Sequence, residues 1–377
     1  MLKAPTLSTK INEQHVLWFK SSNRYIIVDS SINKLINLFV NNNEKTRFID
    51  AATEHLRISS EASEDFYNEI DSLFSSTTIE EENTIEPLNF DTALRVFSNT
   101  YTINEISIQV NYSHRKVKEL LHPQIAYLDS KKADLTTPTV FDVFYKDNSL
   151  YFYKNTVLIG SYQTKNYPVL QGRFCMELLC VLNDKTEEDW LGTLHASTVS
   201  SGKEAILVIG KSGKGKSTFT AHAMASGLNL VADDFSPILA KNKHVYTYPG
   251  AISIKSGAFE SLSNIIPGFD NLPLTFKGQH KGDVKFVAPF RSKKSESQQS
   301  YPCRKMVSIH YKPYAKTALK NIPFSKAMEI FVPDSWISPK EMHAKEFMMW
   351  IEQLSFYELT YSNTQEAIEV FSKLFNT

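Results

Sequence analysis

A chain of 377 residues with 42% hydrophobic and 22% charged residues has the make-up of a globular protein of two or three domains. Lys plus Arg and Asp plus Glu both count 41, so the net charge is zero and the broad basic footprint of a nucleic-acid binder is missing. Three cysteines (Cys175, Cys180 and Cys303) give an odd count, expected as free thiols of a reducing cytoplasm, and the Cys175-x4-Cys180 spacing has no second pair to complete a zinc site. "MLKAPTLSTKINEQ" lacks the apolar core of a signal peptide, and no apolar run approaches the ~20 residues of a membrane span. The expected location is the cytoplasm, with no nucleic acid and no membrane among the partners.

Residues 15–28 read as two short strands around a Ser-Ser-Asn turn. Asp29, Ser30 and Ser31 then offer N-caps for a helix with Ile32, Leu35, Ile36 and Phe39 on one face, ended by the asparagines at 41–43. "EASEDFYNEIDSLF" places Phe66, Ile70, Leu73 and Phe74 at helical spacing. Two strands followed by three helices define a module over 1–78, with a polar, acidic linker over 75–87. In its order of elements the module resembles the PqqD-like winged-helix fold, which implies recognition of a leader peptide; a capping or dimerisation domain is the alternative.

From 88 to 188 runs such as "YTINEISIQV", "TVFDVFYKD" and "SLYFYKN" predict a β-rich subdomain without a catalytic constellation. Further on, "RSKKSESQQS" (291–300) is polar enough for a surface loop or a lid over bound phosphates. "PFSKAMEIF", "KEFMMWIEQL" and "NTQEAIEVFSKLF" return to helical stripes, the last behind an Asn363-x-x-Glu366 capping pattern.

The chemistry is concentrated between these regions. "AILVIG" (205–210) predicts a strand buried on both faces of a mostly parallel sheet, and it leads into Gly210-Lys-Ser212-Gly213-Lys214-Gly215-Lys216-Ser217, a complete G-x-x-x-x-G-K-[ST] pattern. Glycines at such positions let backbone N–H groups turn inward around a β-phosphate. Lys216 then supplies charge to the β- and γ-phosphates, and Ser217 a hydroxyl ligand to Mg2+. Thr218 follows in a helix whose positive N-terminal end faces the anion, with Gly227 as its C-cap; Lys211 and Lys214 add positive potential. Asp233 and Asp234 come only 17 residues after Lys216, room for one helix and one return strand, as in compact kinases. Adjacent carboxylates on an extended backbone point to opposite sides and can divide metal binding from proton acceptance. His195 stands about ten residues before the loop strand, where an imidazole could orient the γ-phosphate or a metal.

"LHASTV…ILVIGKSGKGKST…GLNLVADDFSPI" resembles the HPr kinase/phosphorylase family, and its order of histidine, glycine loop and paired aspartates is similar to that of ATP-dependent phosphoenolpyruvate carboxykinases. The resemblance implies an α/β, P-loop kinase domain over 189–377, with ATP and Mg2+. It implies His195 and Asp233 at the transferred phosphate, Asp233 as base, Asp234 with Ser217 at the metal, and Lys255 in "YPGAISIKSGAF" as a phosphate contact; the two aspartates could also exchange roles. HPr kinases are hexamers, so an oligomer is among the implied assemblies. The Glu-Leu/Ile-Arg-Gly-rich segment of true HPr kinases is not found here, so the resemblance does not extend to dedicated HPr phosphorylation or to the reverse phosphorylase reaction. The expected reaction is transfer of the γ-phosphate to a Ser or Thr hydroxyl of a peptide or protein, including a ribosomally made peptide. A small-metabolite kinase and an ATP-gated regulatory protein without transfer are the rivals.

Overall fold

A computed structural model of the chain describes residues 4–42, 44–75, 85–130, 138–211, 213–276, 282–290 and 298–376. It is a mixed α/β protein that divides into two compact units: 1–83 with 337–353, and 84–336 with 354–377. Among the described residues no helix is long and apolar enough to cross a membrane. Residues 76–84 of the linker and 291–297 of the lid segment lie outside the described residues.

The first unit opens with an antiparallel sheet of β1 (Leu7–Ile11), β2 (Gln14–Phe19) and β3 (Arg24–Asp29), in that order. β1 was not anticipated: five residues with a single fully buried side chain, Ile11, carry too little contrast to read as a strand. Helices α1 (Ser30–Asn41), α2 (Lys45–Leu56) and α3 (Ser60–Ser75) follow. Asp29 caps α1 by accepting a 2.8 Å hydrogen bond from the Ile32 N–H, satisfying a backbone donor that the first turn cannot. The sheet and helices close on one aromatic core, in which Phe39 stacks on Phe74 at 5.4 Å and Phe48 and Phe19 meet these rings edge-on.

In the second unit β4 (Phe97–Ile103), β5 (Ile106–Tyr112), β6 (Thr139–Lys146), β7 (Ser149–Lys154) and β8 (Val157–Gln163) form a sheet in sequence order. It is antiparallel except where β5 meets β6, a parallel pair that needs a crossover. That crossover contains α4 (Arg115–Ile125), and α5 (Tyr167–Asn183) follows β8. Neither helix was legible as such. α4 contains Pro123, and α5 is buried on every side over 174–180, Glu177 included, so no polar face marks its period there.

The remaining strands begin with β9 (Trp190–Leu194), β10 (Ser197–Ser200), β11 (Ala205–Ile209), α6 (Lys216–Ala225), β12 (Asn229–Ala232), β13 (Ser236–Leu239) and β14 (Val245–Tyr246). There follow β15 (Ile252–Lys255), α7 (Phe259–Ser263), β16 (Thr275–Phe276), β17 (Asp283–Val287), β18 (Ser300–Tyr301), β19 (Cys303–Tyr311), β20 (Ala318–Asn321) and α8 (Phe324–Phe331). After the two-residue β21 (Trp336–Ile337), where the chain changes unit, come α9 (Glu341–Glu352), β22 (Ser355–Tyr361) and α10 (Thr364–Lys373). The central sheet has the order β12-β10-β11-β19-β22-β20. Only β11, β19 and β22 run mutually parallel as neighbours; β10 returns to β11 through a tight hairpin and pairs antiparallel, so the sheet is mixed where a mostly parallel one was expected. α6 and α10 pack on it through Phe219, Ala223, Ala367, Ile368 and Phe371. Two smaller groups, β18-β14-β13-β9 and β15-β17-β16, complete the unit.

Residues 337–353, which the sequence pattern had placed with the C-terminal domain, cluster with the first unit. There the Phe347 ring of α9 meets Tyr25 edge-on at 5.2 Å, and Asn23 donates to the Ile337 carbonyl at 2.6 Å.

All three cysteines are free and buried. Burial pushes the thiols of Cys175 and Cys180 up to about 11 and that of Cys303 to about 12, because a thiolate loses its hydration there. A thiol-disulfide reagent at pH 8 is therefore expected to leave the folded chain essentially unmodified and to titrate three thiols in denaturant; fast native labelling would contradict this packing.

Candidate functional site

The apolar strand β11 is buried along its whole length and ends at Ile209, beside β10 and β19. The chain then turns through 210–215 into α6. Lys214 N–H bonds to the Lys211 carbonyl at 3.1 Å, and the first helical bond runs from Phe219 N–H to the Gly215 carbonyl at 2.8 Å. Gly213 and Gly215 take φ of +78° and +95°, a conformation that costs a residue with a Cβ about 1–2 kcal/mol. Gly210 lacks that constraint; a Cβ there would touch the Ile309 carbonyl at 3.5 Å. Ser212 lies outside the described residues. Lys211 and Lys214 are exposed, and Thr218 is half-buried in the first turn of α6.

Around this loop the structure gathers most of the residues singled out by sequence. Lys255, at the end of β15, brings its Nζ to 3.9 Å from the point where a Cβ on Gly213 would stand. Lys216 is only 6% exposed, and its ammonium forms an ion pair with Asp234. His195 Nε2 stands 3.9 Å from the same Asp234 oxygen. The His195 backbone is fixed by its N–H bond to Ser335 Oγ at 2.9 Å, and Ser335 in turn donates to the Phe331 carbonyl.

Asp233 sits one residue past β12 and is 7% exposed. One of its oxygens accepts from Ser197 and, at 3.3 Å, from Ser217. The hydroxyl of Ser217 therefore lies on Asp233 and not on Asp234, with which the sequence pattern had paired it. The two carboxylates diverge for a reason other than strand alternation: Asp234 has φ of +58°, a left-handed conformation that aspartate tolerates better than most residues. That turn leaves the Asp234 side chain 45% exposed while Asp233 stays inside.

Ser197 was missed by sequence reasoning, although it stands two residues after His195 in the same "HAST" run. Its hydroxyl joins the start of β10 to the end of β12 through Asp233. Among the described residues no group of three or more His, Cys, Asp and Glu converges as a self-contained metal cage. The oxygens here are two carboxylates and a serine, a set suited to a hard cation that takes its other ligands from phosphate and water.

No family model matches the chain. No curated protein matches it either. Among solved structures, the Hpr(Ser) kinase/phosphatase from Coxiella burnetii aligns at 12% identity over 49% of this chain and 94% of that one, with a TM-score of 0.24. A superposition at that level carries no functional argument.

The loop geometry predicts that Gly213→Ala and Gly215→Ala each lower stability by about 1–2 kcal/mol in urea unfolding. Gly257→Ala, where nothing lies within 4 Å of the added carbon, should be near neutral. Equal effects at all three positions would refute a strained loop.

Proposed function

We propose that the protein is a phosphotransferase that binds a nucleoside triphosphate, ATP with Mg2+, in the 210–218 loop and transfers its γ-phosphate to a hydroxyl. The single observation that carries this reading is the convergence of a buried lysine, two positive-φ glycines, a helix N-terminus, two carboxylates and a histidine on one loop. The loop glycines allow backbone N–H groups to face the β-phosphate, and the N-terminal end of α6 favours the anion. Lys216, paired with Asp234, exchanges that carboxylate for phosphate oxygens as the triphosphate enters. Lys255, beside Gly213, adds a second positive charge on the solvent side.

Mg2+ would be held by Asp233 and Ser217, whose oxygens already lie together, and when bound it offsets charge on the β- and γ-phosphates. This division is opposite to the first expectation. Asp233 is buried and engaged by two serines, whereas Asp234 is reachable and becomes free once Lys216 turns to phosphate. In transfer, the acceptor oxygen forms a bond to γ-phosphorus while the bond to the β-γ bridging oxygen breaks and leaves as the diphosphate. The hydroxyl proton passes to the Asp234 carboxylate, and His195 beside it stabilises charge on the moving phosphoryl group.

The acceptor in this reading is a Ser or Thr hydroxyl of a peptide or protein. A separate compact unit with its own aromatic core supports an acceptor held over more surface than a small metabolite offers. On the PqqD-like reading, that unit takes the leader of a ribosomally made peptide.

Labelled γ-phosphate transfer from ATP, run against a serine-peptide library and against hydroxylated metabolites, tests the proposal. Lys216→Ala should abolish transfer and weaken ATP binding. Asp234→Asn should keep ATP affinity within a few-fold and slow transfer by roughly a hundredfold or more. Near-wild-type transfer by Asp234→Asn would sink the base assignment, label on metabolites alone would move the acceptor class, and tight ATP binding with no label on any acceptor would favour a nucleotide-gated regulator.

A further inference from the structure

The far side of the loop carries aromatic rings that the proposed transfer leaves unused. From the core outward, Phe219 of α6 packs against Tyr361 at 5.8 Å, and Tyr361 meets Tyr311 edge-on at 5.7 Å and 72°. Tyr361 is buried, whereas Tyr311 is 50% exposed and ends the ladder at the surface. Both adjoin the phosphate loop. The substituent direction at Gly215 points to within 3.8 Å of the Tyr361 hydroxyl and 3.9 Å of the Tyr311 Cβ.

The rings are held by backbone. Tyr311 and Tyr361 are register partners at the ends of the parallel strands β19 and β22. The next residue, Lys312, bonds to the Tyr361 carbonyl at 2.9 Å, and the turn closes with Ala315 N–H on the Lys312 carbonyl at 3.1 Å. Ser362 donates to the Ala315 carbonyl at 2.8 Å, tying that turn to the end of β22. Tyr311 is thus a presented ring and not a loose one.

Strand order gives the direction. β12, which leads to Asp233 and Asp234, lies on one side of β11, and β19 and β22 lie on the other. A triphosphate with its terminal group at the acids has its remaining length extending toward the carboxyl ends of β19 and β22, the crevice where ligands of open α/β sheets collect. We propose that Tyr311, buttressed by Tyr361, is the platform on which the base of the loop-bound nucleotide stacks. This inference rests on the nucleotide reading above. A ring face recognises the π-surface of a base and not its hydrogen-bonding edge, so ATP and GTP should bind alike and pyrimidine triphosphates more weakly.

The test is calorimetric titration of the full chain, with Mg2+, by ATP, GTP and inorganic tripolyphosphate. Tyr311→Ala should weaken ATP and GTP on the order of tenfold and leave tripolyphosphate unchanged, while Tyr311→Phe stays within about twofold of wild type. A half-exposed side chain makes folding failure a small concern, and circular dichroism of each variant checks it. If wild type binds both ATP and tripolyphosphate but Tyr311→Ala leaves their ratio unchanged, the platform is wrong and the phosphate site stands. If wild type separates ATP from GTP by far more than tenfold, edge recognition replaces stacking. If it binds neither ATP nor tripolyphosphate, the nucleotide reading fails and the platform falls with it.

Discussion

The buried carboxylate of Asp233 is the constraint around which the site is organised. One oxygen receives the hydroxyls of Ser197 and Ser217, so the first residue of β10, the second residue of α6 and the residue after β12 meet at one point. A carboxylate taken out of water with fewer donors would be costly, and hydrogen bonds to the charged form are what make its burial tolerable. The beginning of α6 is thereby located against the sheet by a polar contact as well as by the apolar packing of Phe219 and Ala223. Asp234, next along the chain, takes a left-handed conformation and pairs with Lys216.

The buried ammonium of the loop is met by a carboxylate of the same chain. The Lys216 ammonium has little access to water, and Asp234 neutralises it from the exposed side. Removing Asp234 would take one stabilising partner from a buried ammonium, which is unfavourable. In the proposed reaction a phosphate oxygen would take the place of that carboxylate, an exchange of partners rather than an added contact.

Much of the loop was legible in the sequence because its pattern is written in local spacing. The glycine loop, its lysine and serine, the paired aspartates and the Asp29 cap depend on neighbours within a few residues, so the pattern survives without knowledge of the fold. What stayed hidden depends on distant packing. The helix 167–183 is buried on every side over 174–180 and shows no polar stripe there; the role of Ser197 exists only through a residue 36 positions away. The pairing of Ser217 with Asp233 rather than Asp234 hinges on one positive φ, which no composition rule supplies. Likewise Tyr311 and Tyr361 read as ordinary strand aromatics until the register of β19 and β22 sets them beside Gly215.

The return of 337–353 to the first unit has a consequence during synthesis. The first unit is not complete when its own sheet and three helices have left the ribosome, because α9 is encoded beyond the whole of 84–336. At about 5–20 residues per second, that interposed stretch delays completion by roughly 10–50 s. For that interval Tyr25 lacks the Phe347 ring it meets in the finished protein, and Asn23 lacks the Ile337 carbonyl. Neither unit is complete until the end of the chain: α9 finishes the smaller one, and β22 and α10, which follow it, finish the larger.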